Sequence, residues 1–401
     1  KKTTDPFALN IFGLIFLKKN LFHDAINIFN QAISHNPKYI DSYNNLGKAH
    51  YDLEDLDRAF IFFRKAYKIS KNNSKTLINI GNFLSLRDKN LYAIKAYKKA
   101  LSNDPNNIEI YSNIALAYAR GRDFKNTTKY YEIAKKNNRV SPSLNLSMAY
   151  LYIYKNNFES AWDFFESRKY TSKFKQKESL LNKVSLAKKD TIINKKILVL
   201  REQGIGEEIL FSSMYKELIA LNNNIKIETD KRLISIFERS FQNKLFVPDG
   251  YYSKKEEVFK NFDSVIFAGS LCAHFRKNKN DFLKIPYLVA DHAKAQEIKE
   301  NEIFSSQKLK IGLSWKSVVS VYGRLKSLTL SDFAPLIKKE RQLINLQYGD
   351  VKEEINLEKN KKFKLYSFDK INLFNDLEGL MAILKNIDVF VTVSNTTAHI
   401  A

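Results

Sequence analysis

A single cysteine, Cys272, stands in the whole sequence, so neither an intrachain disulfide framework nor a zinc site built on cysteines can form. A cytoplasmic setting is the natural expectation. Histidine is nearly as sparse, and His23, His35, His50, His274, His292 and His399 include no close pair of the kind that offers two metal ligands from one helix face. No bound metal is expected. Long apolar runs are missing as well: Ile11 to Leu17, the most apolar stretch near the start, is far short of the ~20 residues that a membrane span needs. It reads as a core helix, and no small-residue cleavage site follows to make it a secretory leader. No transmembrane segment is expected.

What the sequence has in plenty is positive charge, a formal net +23 over 401 residues. The lysines are spread among Asn and Ile along the whole chain rather than gathered into an Arg-rich, aromatic-interleaved strip, so nucleic acid is not the expected partner. A weak general attraction to anionic partners is the more modest reading. Hydrophobic residues at 44% and charged residues at 27% describe a folded chain rather than a disordered one. At roughly 150 residues per domain, the length implies two to four domains. The sequence opens on Lys1 rather than Met and stops at Ala401 within what reads as the first turn of a helix, so a fragment of a longer protein is expected.

Internal periodicity organises the first part. Gly13, Gly47, Gly81, Ala115 and Ala149 follow one another at a spacing of 34, as do Ala25, Ala59, Ala93, Thr127 and Ala161. Phe29, Phe63, Tyr97, Tyr131 and Phe165 form an aromatic series in the same period, and Ala32, Ala66, Ala100 and Ala134 form a fourth register. Each unit reads as a helical hairpin whose small residues let two backbones approach, with the aromatic expected to fill the space between neighbouring hairpins. Turn residues fall between the helices at Lys19-Asn20, Glu54-Asp55, Asp88-Lys89-Asn90, Gly121-Arg122-Asp123 and Asn156-Asn157. The pattern resembles the tetratricopeptide repeat over five units, roughly residues 6 to 170. The fifth is atypical because Arg168 takes its last small position. A solenoid of this kind offers a groove for a protein or peptide, and self-association through the repeats is the other expected use.

After Asp190 the pattern changes to short apolar strands alternating with helices, which implies a parallel sheet built from βαβ units. The strand at 197–200 runs into Gly204-Ile205-Gly206-Glu207 and a helical stretch from Glu208 to Leu221. Two glycines between strand and helix allow a ligand to approach the helix N-terminus, and equally make a tight turn. Strands at 225–228 and 264–267 follow, then a helical, charged boundary region from Asp291 to Lys308. The alternation restarts at 310–315 and continues with strands at 343–346 and 389–393, so two Rossmann-like lobes with a cleft between them are expected. Ser394-Asn395-Thr396-Thr397-Ala398-His399 gathers hydroxyl and amide groups at a helix start, which suits either a phosphate site or an ordinary N-cap.

From Phe158 to Arg168 onward the chain resembles bacterial tetratricopeptide-repeat glycosyltransferases, whose catalytic part is similar to the heptosyltransferase family and more distantly to O-linked N-acetylglucosamine transferases. The resemblance rests on Asn157-Phe158, Ala161-Trp162, Phe165-Glu166 and Arg168, on Glu202 through Glu207, and on Arg232-Leu233 through Ser240-Phe241. It continues in Gly269-Ser270-Leu271, Pro286-Tyr287-Leu288, Gly312 through Trp315, Lys326-Ser327-Leu328 and Asp388 through His399.

The resemblance implies a GT-B fold, with a helical linker over residues 171–192, an N-terminal acceptor lobe over 193–307, and an incomplete C-terminal donor lobe over 308–401. It also implies transfer of a sugar from a nucleoside-diphosphate sugar to an acceptor hydroxyl, with no metal ion and no cofactor beyond that donor. Arg324, Lys326, Ser394, Thr396, Thr397 and His399 would meet the donor, with Gly204 and Gly206 shaping the acceptor turn. Glu207 stands where heptosyltransferases carry the Asp that takes the acceptor proton, one methylene longer. Its other reading is a cap on the helix. Ser394 departs from the family, which has an Asp there. These departures leave a second expectation open, a repeat scaffold with a degenerate, non-catalytic transferase-like domain.

Overall fold

A computed structural model of the chain describes residues 3–171, 192–202, 204–222, 224–252, 261–282, 285–317, 326–359 and 364–401. Almost all of the expected linker at 171–192, and Arg324 with it, lie outside the described residues. Internal packing divides the chain into two units, Lys1–Thr171 and Ser172–Ala401. Among the described residues no helix is long and apolar enough to cross a membrane.

In the first unit the 34-residue period becomes five helix pairs: α1 (Pro6–Lys18) with α2 (Phe22–His35), α3 (Ile40–Asp52) with α4 (Leu56–Ile69), and α5 (Ser74–Leu86) with α6 (Asn90–Asn103). They continue with α7 (Ile108–Arg120) and α8 (Phe124–Lys136), then α9 (Pro142–Tyr154) and α10 (Phe158–Phe165). The turn inside each pair is so tight that one residue must enter the left-handed region. Asn20, Glu54, Asp88, Arg122 and Asn156, themselves 34 apart, take φ values from 57 to 63°. Gly121 is not the left-handed residue of its turn; its φ is −75° and Arg122 bears the strain. Asp55, Asp123 and Asn157 then cap the second helices by accepting from the backbone N–H three residues on.

The glycines explain how closely each pair packs. A Cβ at Gly13, Gly47 or Gly81 would sit 2.3, 2.4 and 2.4 Å from a ring carbon of Phe29, Phe63 and Tyr97 respectively. The aromatic therefore fills the space inside its own hairpin, not between neighbouring hairpins as expected. The ring needs the absent side chain of the helix it faces. Leucine at Gly47 or at Gly81 should push the two helices apart and cost about 1 to 3 kcal/mol. Thermal melting of the two variants checks this, and midpoints equal to the parent's would contradict the packing. Buried amides tie adjacent first helices together, Asn45 Nδ2 donating to Asn10 Oδ1 at 2.9 Å and Asn44 Nδ2 to Thr76 Oγ1 at 2.9 Å. The fifth pair departs as expected: Arg168 is buried where the other units have alanine, and its guanidinium donates to Phe165 O and Glu166 Oε1 within a 3₁₀ turn.

The second unit contains two parallel four-stranded sheets of one topology. In the first, β1 (Ile197–Leu200), β2 (Ile225–Thr229), β3 (Phe246–Pro248) and β4 (Ser264–Phe267) lie in the order β3-β2-β1-β4. In the second, β5 (Leu309–Ser314), β6 (Arg341–Asn345), β7 (Leu365–Tyr366) and β8 (Val389–Thr392) lie in the order β7-β6-β5-β8. Both architectures are those of an α/β domain, with near-continuous apolar central strands because both faces are covered. Strands β3 and β7 were not anticipated from the sequence, and β3 ends in a proline. The single helical stretch expected at 208–221 is two helices, α11 (Ile205–Ser212) and α12 (Tyr215–Leu221), broken at Ser213 and Met214.

The two halves are joined along one side. α13 (Ile234–Phe241) presents Arg239, whose Nη1 and Nη2 meet the two carboxylate oxygens of Glu378 at 3.0 and 2.6 Å, and Ser235, which donates to the same carboxylate at 2.7 Å. Glu378 lies in the first turn of α18 (Leu377–Asn386), where the helix dipole favours negative charge. Between α13 and α18 the chain forms α14 (Cys272–Phe275), α15 (His292–Lys299), α16 (Glu302–Ser305) and α17 (Lys352–Lys359). Lys294 of α15 donates to both oxygens of Asp376, the N-cap of α18, at 2.9 and 3.0 Å. The last helix is α19 (Thr396–Ile400).

Candidate functional site

In an open parallel sheet, ligands bind outside the carboxyl ends of the strands where the strand order reverses. Here that point lies between β1 and β4 in one sheet and between β5 and β8 in the other. The turn after β1 and the helix after β8 meet: a Cβ at Gly206 would lie 2.8 Å from His399 Cδ2 and 3.6 Å from Thr396 Cα. The two reversal points therefore face each other within one unit. Gly206 from one half is brought against Thr396 and His399 from the other, with Gly204 and Glu207 flanking it in sequence. Gly204 is exposed, while Glu207 and Thr396 are half-buried.

Each side of this junction is braced by polar groups that sequence reasoning did not single out. On the second sheet, Asn395 Nδ2 donates to Ser314 Oγ at 2.7 Å and to Lys316 O at 3.2 Å, while its Oδ1 accepts from Ala398 N and so caps α19. Gln347, just past β6, accepts on one oxygen from Ser314 Oγ, Trp315 N and Lys316 N at 3.1, 2.8 and 2.6 Å. Together they lock the ends of β5, β6 and β8. In the sequence Asn395 stands only as the one amide among the hydroxyls of the Ser394-to-His399 stretch, and Gln347 carries no signal at all. On the first sheet, the Glu202 carboxylate accepts from Gly269 N and ties the turn after β1 to the segment after β4.

Glu208, next to Glu207, has a different environment. It is 2% exposed, accepts from Thr229 Oγ1 and, at 2.8 Å, from Asp230 N, and meets Arg201 Nε at 2.9 Å. Burial pushes its carboxyl above the usual range, opposed by the Arg201 charge and by those hydrogen bonds. Asp230 is also pushed up by burial, but hydrogen bonds and charge from Arg232, with Arg201 beyond, outweigh that and hold it low. This carboxylate is a brace for the base of α11, not a group open to a substrate.

The cations expected to meet a donor are on the second half. Lys326 is exposed, and partial burial of the His399 ring together with the Lys326 charge keeps that imidazole below its ordinary value. Lys316 Nζ is paired with Glu354 Oε2 at 2.5 Å. Ser394 is exposed, but Thr397 differs from its expected role: its side chain is 1% exposed, so its hydroxyl points into the fold and lines no cleft. Arg324 lies outside the described residues. His399 also borders an apolar groove of about 790 Å³ lined by Tyr287, Leu288, Leu384 and Phe390; Glu207 and Lys326 do not line it.

Comparison with known proteins bears mainly on the first unit. The profile described as "TPR repeat" matches residues 13–54, and that described as "Tetratricopeptide repeat" matches residues 40–73. Protein FlbA of Caulobacter vibrioides is 23% identical over 399 residues, covering 94% of this chain and 61% of its own length. The chain thus spans about three fifths of that relative. Anaphase-promoting complex subunit 3 of Schizosaccharomyces pombe is 25% identical over 112 residues, 28% of this chain and 17% of that protein. Among solved structures, PilF of Pseudomonas aeruginosa is 22% identical with a TM-score of 0.36, covering 40% of this chain and 75% of that one. PilW, described as a type IV pilus biogenesis factor, is 14% identical with a TM-score of 0.40, covering 64% of this chain and 97% of that one. The N-terminal region of the chain is a run of tetratricopeptide repeats, a fold that serves as a protein-interaction scaffold.

Proposed function

We propose that the second unit is a GT-B glycosyltransferase that moves a sugar from a nucleoside-diphosphate sugar to an acceptor hydroxyl, and that the repeats hold the protein acceptor or a protein partner. The observation that carries this reading is the meeting of the two strand-reversal points at Gly206 and His399. A donor seated at the ends of β5 and β8 would lie against Lys326, Ser394, Thr396 and His399, and an acceptor at the end of β1 would lie against Gly204 and Glu207. Cationic and N–H groups on the donor side stabilise the charge that grows on a leaving diphosphate. A carboxylate on the acceptor side takes the proton of the attacking hydroxyl. Arg324, two residues from Lys326 in sequence, would add to the donor side.

The test is a thermal-shift screen of the full chain against ADP-, UDP- and GDP-linked sugars. A ligand at about 100 times its Kd stabilises by about 2.7 kcal/mol, and the absence of any shift would leave the repeat scaffold with a non-catalytic domain as the reading. For the donor so found, Lys326→Ala should weaken binding by removing a charge-assisted phosphate contact worth about 1.5 to 3 kcal/mol. Calorimetric titration measures it. Unchanged affinity in both Lys326→Ala and Arg324→Ala would remove the diphosphate from this loop.

A further inference from the structure

The cations of the solenoid are sorted by helix. Second helices carry them: Arg58, Arg64, Lys65 and Lys68 stand against Asp57 on α4, and Lys95, Lys98 and Lys99 stand with no acid on α6. α8 adds Lys125, Lys129, Lys135 and Lys136 against Glu132. The first helices among them cancel, because Lys48, Lys75 and Arg120 of α3, α5 and α7 are matched in number by Asp41, Asp52 and Glu109. A general surplus of lysine would fall on both helices of a pair alike. The patch also has ends: α2 has no lysine or arginine, and α10 has Glu159 and Asp163 with no cation.

These side chains lie on the outside of the stack. Ala59, Phe63 and Ala66 of α4, and Ala93, Tyr97 and Ala100 of α6, turn inward and are buried, while the cations of both helices are exposed. Among the described residues Lys65, Lys95, Lys99 and Lys129 pair with no carboxylate. Their Nζ atoms lie 5.2 to 5.8 Å from the ring centres of Phe62, Tyr92, Tyr67 and Tyr130. A ring holds an ammonium group in place and leaves its charge uncancelled. Between the cations stand apolar side chains in the open, Leu91 at 76% exposed, Tyr92 at 62% and Ile61 at 51%. At the register of Leu91 the other repeats carry His23, Asp57, Lys125 and Glu159, so the fold itself asks for no apolar residue there.

We propose that the outer face of α4, α6 and α8 docks on an anionic lipid surface. Any polyanion would answer the charge, and two features select lipid. Only Arg58 and Arg64 of the patch are arginine. Lysine is a point charge on a flexible stem, suited to diffuse headgroup charge, whereas the phosphates of a nucleic acid and the carboxylates of an acidic protein favour the planar fork of arginine. Exposed leucine, isoleucine and tyrosine among lysines are also what an interfacial surface carries, the aliphatic groups entering the acyl boundary and the tyrosine resting among the headgroups. The near-neutral first helices are left free for the protein partner.

Flotation of the full chain with vesicles tests this. The chain should rise with vesicles of phosphatidylcholine and phosphatidylglycerol in equal parts, stay behind with phosphatidylcholine alone, and be released from the mixed vesicles by salt. Lys95→Asn, Lys98→Asn and Lys99→Gln together give α6 the residues that the first repeat carries at Asn27, Asn30 and Gln31. With an unchanged circular-dichroism spectrum, this variant should partition roughly 100-fold more weakly, about fivefold for each cation. Lys299→Asn, Lys338→Asn and Lys339→Asn remove the same charge from exposed sites of the second unit and should leave binding as in the parent. As a second measurement, Tyr92→Trp should shift its emission to shorter wavelength with the mixed vesicles and not with polyuridylate or polyglutamate; Trp162 and Trp315 are buried. Failure of the parent to float overturns the proposal, as does equal weakening in the two triple variants. A shift with either polymer and none with vesicles overturns it in favour of a nucleic acid or an acidic protein.

Discussion

Glu207→Gln should lower kcat by roughly 10²- to 10⁴-fold while leaving nucleotide-sugar affinity nearly unchanged. Glutamine keeps the shape of the side chain and its place in the first turn of α11, and removes the basicity that a proton acceptor needs. Steady-state turnover with the donor selected by thermal shift, together with a direct titration of donor binding, separates the two quantities. Lost affinity without a selective loss of kcat would assign Glu207 to the capping of α11. The base would then have to be sought elsewhere on the first sheet's half.

The adjacent residue should behave in the opposite way. Glu208→Ala is expected to cost about 3 kcal/mol of stability, at the lower end of what breaking a buried ion pair costs, because it takes from Arg201 its closest carboxylate and from Thr229 and the Asp230 N–H their acceptor. Arg201 keeps Asp230 and Asp249 at 3.5 and 3.4 Å, which is why the upper end is not expected. Urea unfolding of the second unit's transition gives the number. Glu207→Gln in the same experiment should stay within about 0.5 kcal/mol of the parent, because glutamine keeps the shape of a partly exposed side chain. If Glu208→Ala unfolds at the parental midpoint, the cluster at the base of α11 is not what holds that helix in place.

The repeats could be read from sequence because four residue series share one period, and a helix pair that stacks on its like must repeat its small residues in phase. Period alone does not say which neighbour a residue touches. Phe29, Phe63 and Tyr97 keep the register whether they pack inside a hairpin or between hairpins, and only the 2.3 to 2.4 Å approach to the glycine positions decides it. Strands β3 and β7 escaped notice for another reason: three and two residues are too few to show an apolar run. At the junction of the two halves, Thr396 and Thr397 look equivalent in sequence. Successive residues on a helix point about 100° apart, so when Thr396 borders the opposing turn, Thr397 is directed into the core. The long-range braces made by Asn395, Gln347 and Glu208 join residues 21 to 81 positions apart. No local pattern encodes such pairings.

The fit of Gly206 against His399 has a mechanical meaning. Where a single methyl group would already intrude on the imidazole, the first turns of α11 and α19 have no clearance left, and the backbone at 206 acts as a stop. Relative motion of the two sheets is thereby limited in sense: the gap at this point can widen but not narrow. The ionic fastening of Arg239 and Lys294 to the start of α18 restrains the same pair of sheets at a second place. The two sheets are thus tied to each other at two separate places, the contact at Gly206 and the ion pairs at the start of α18.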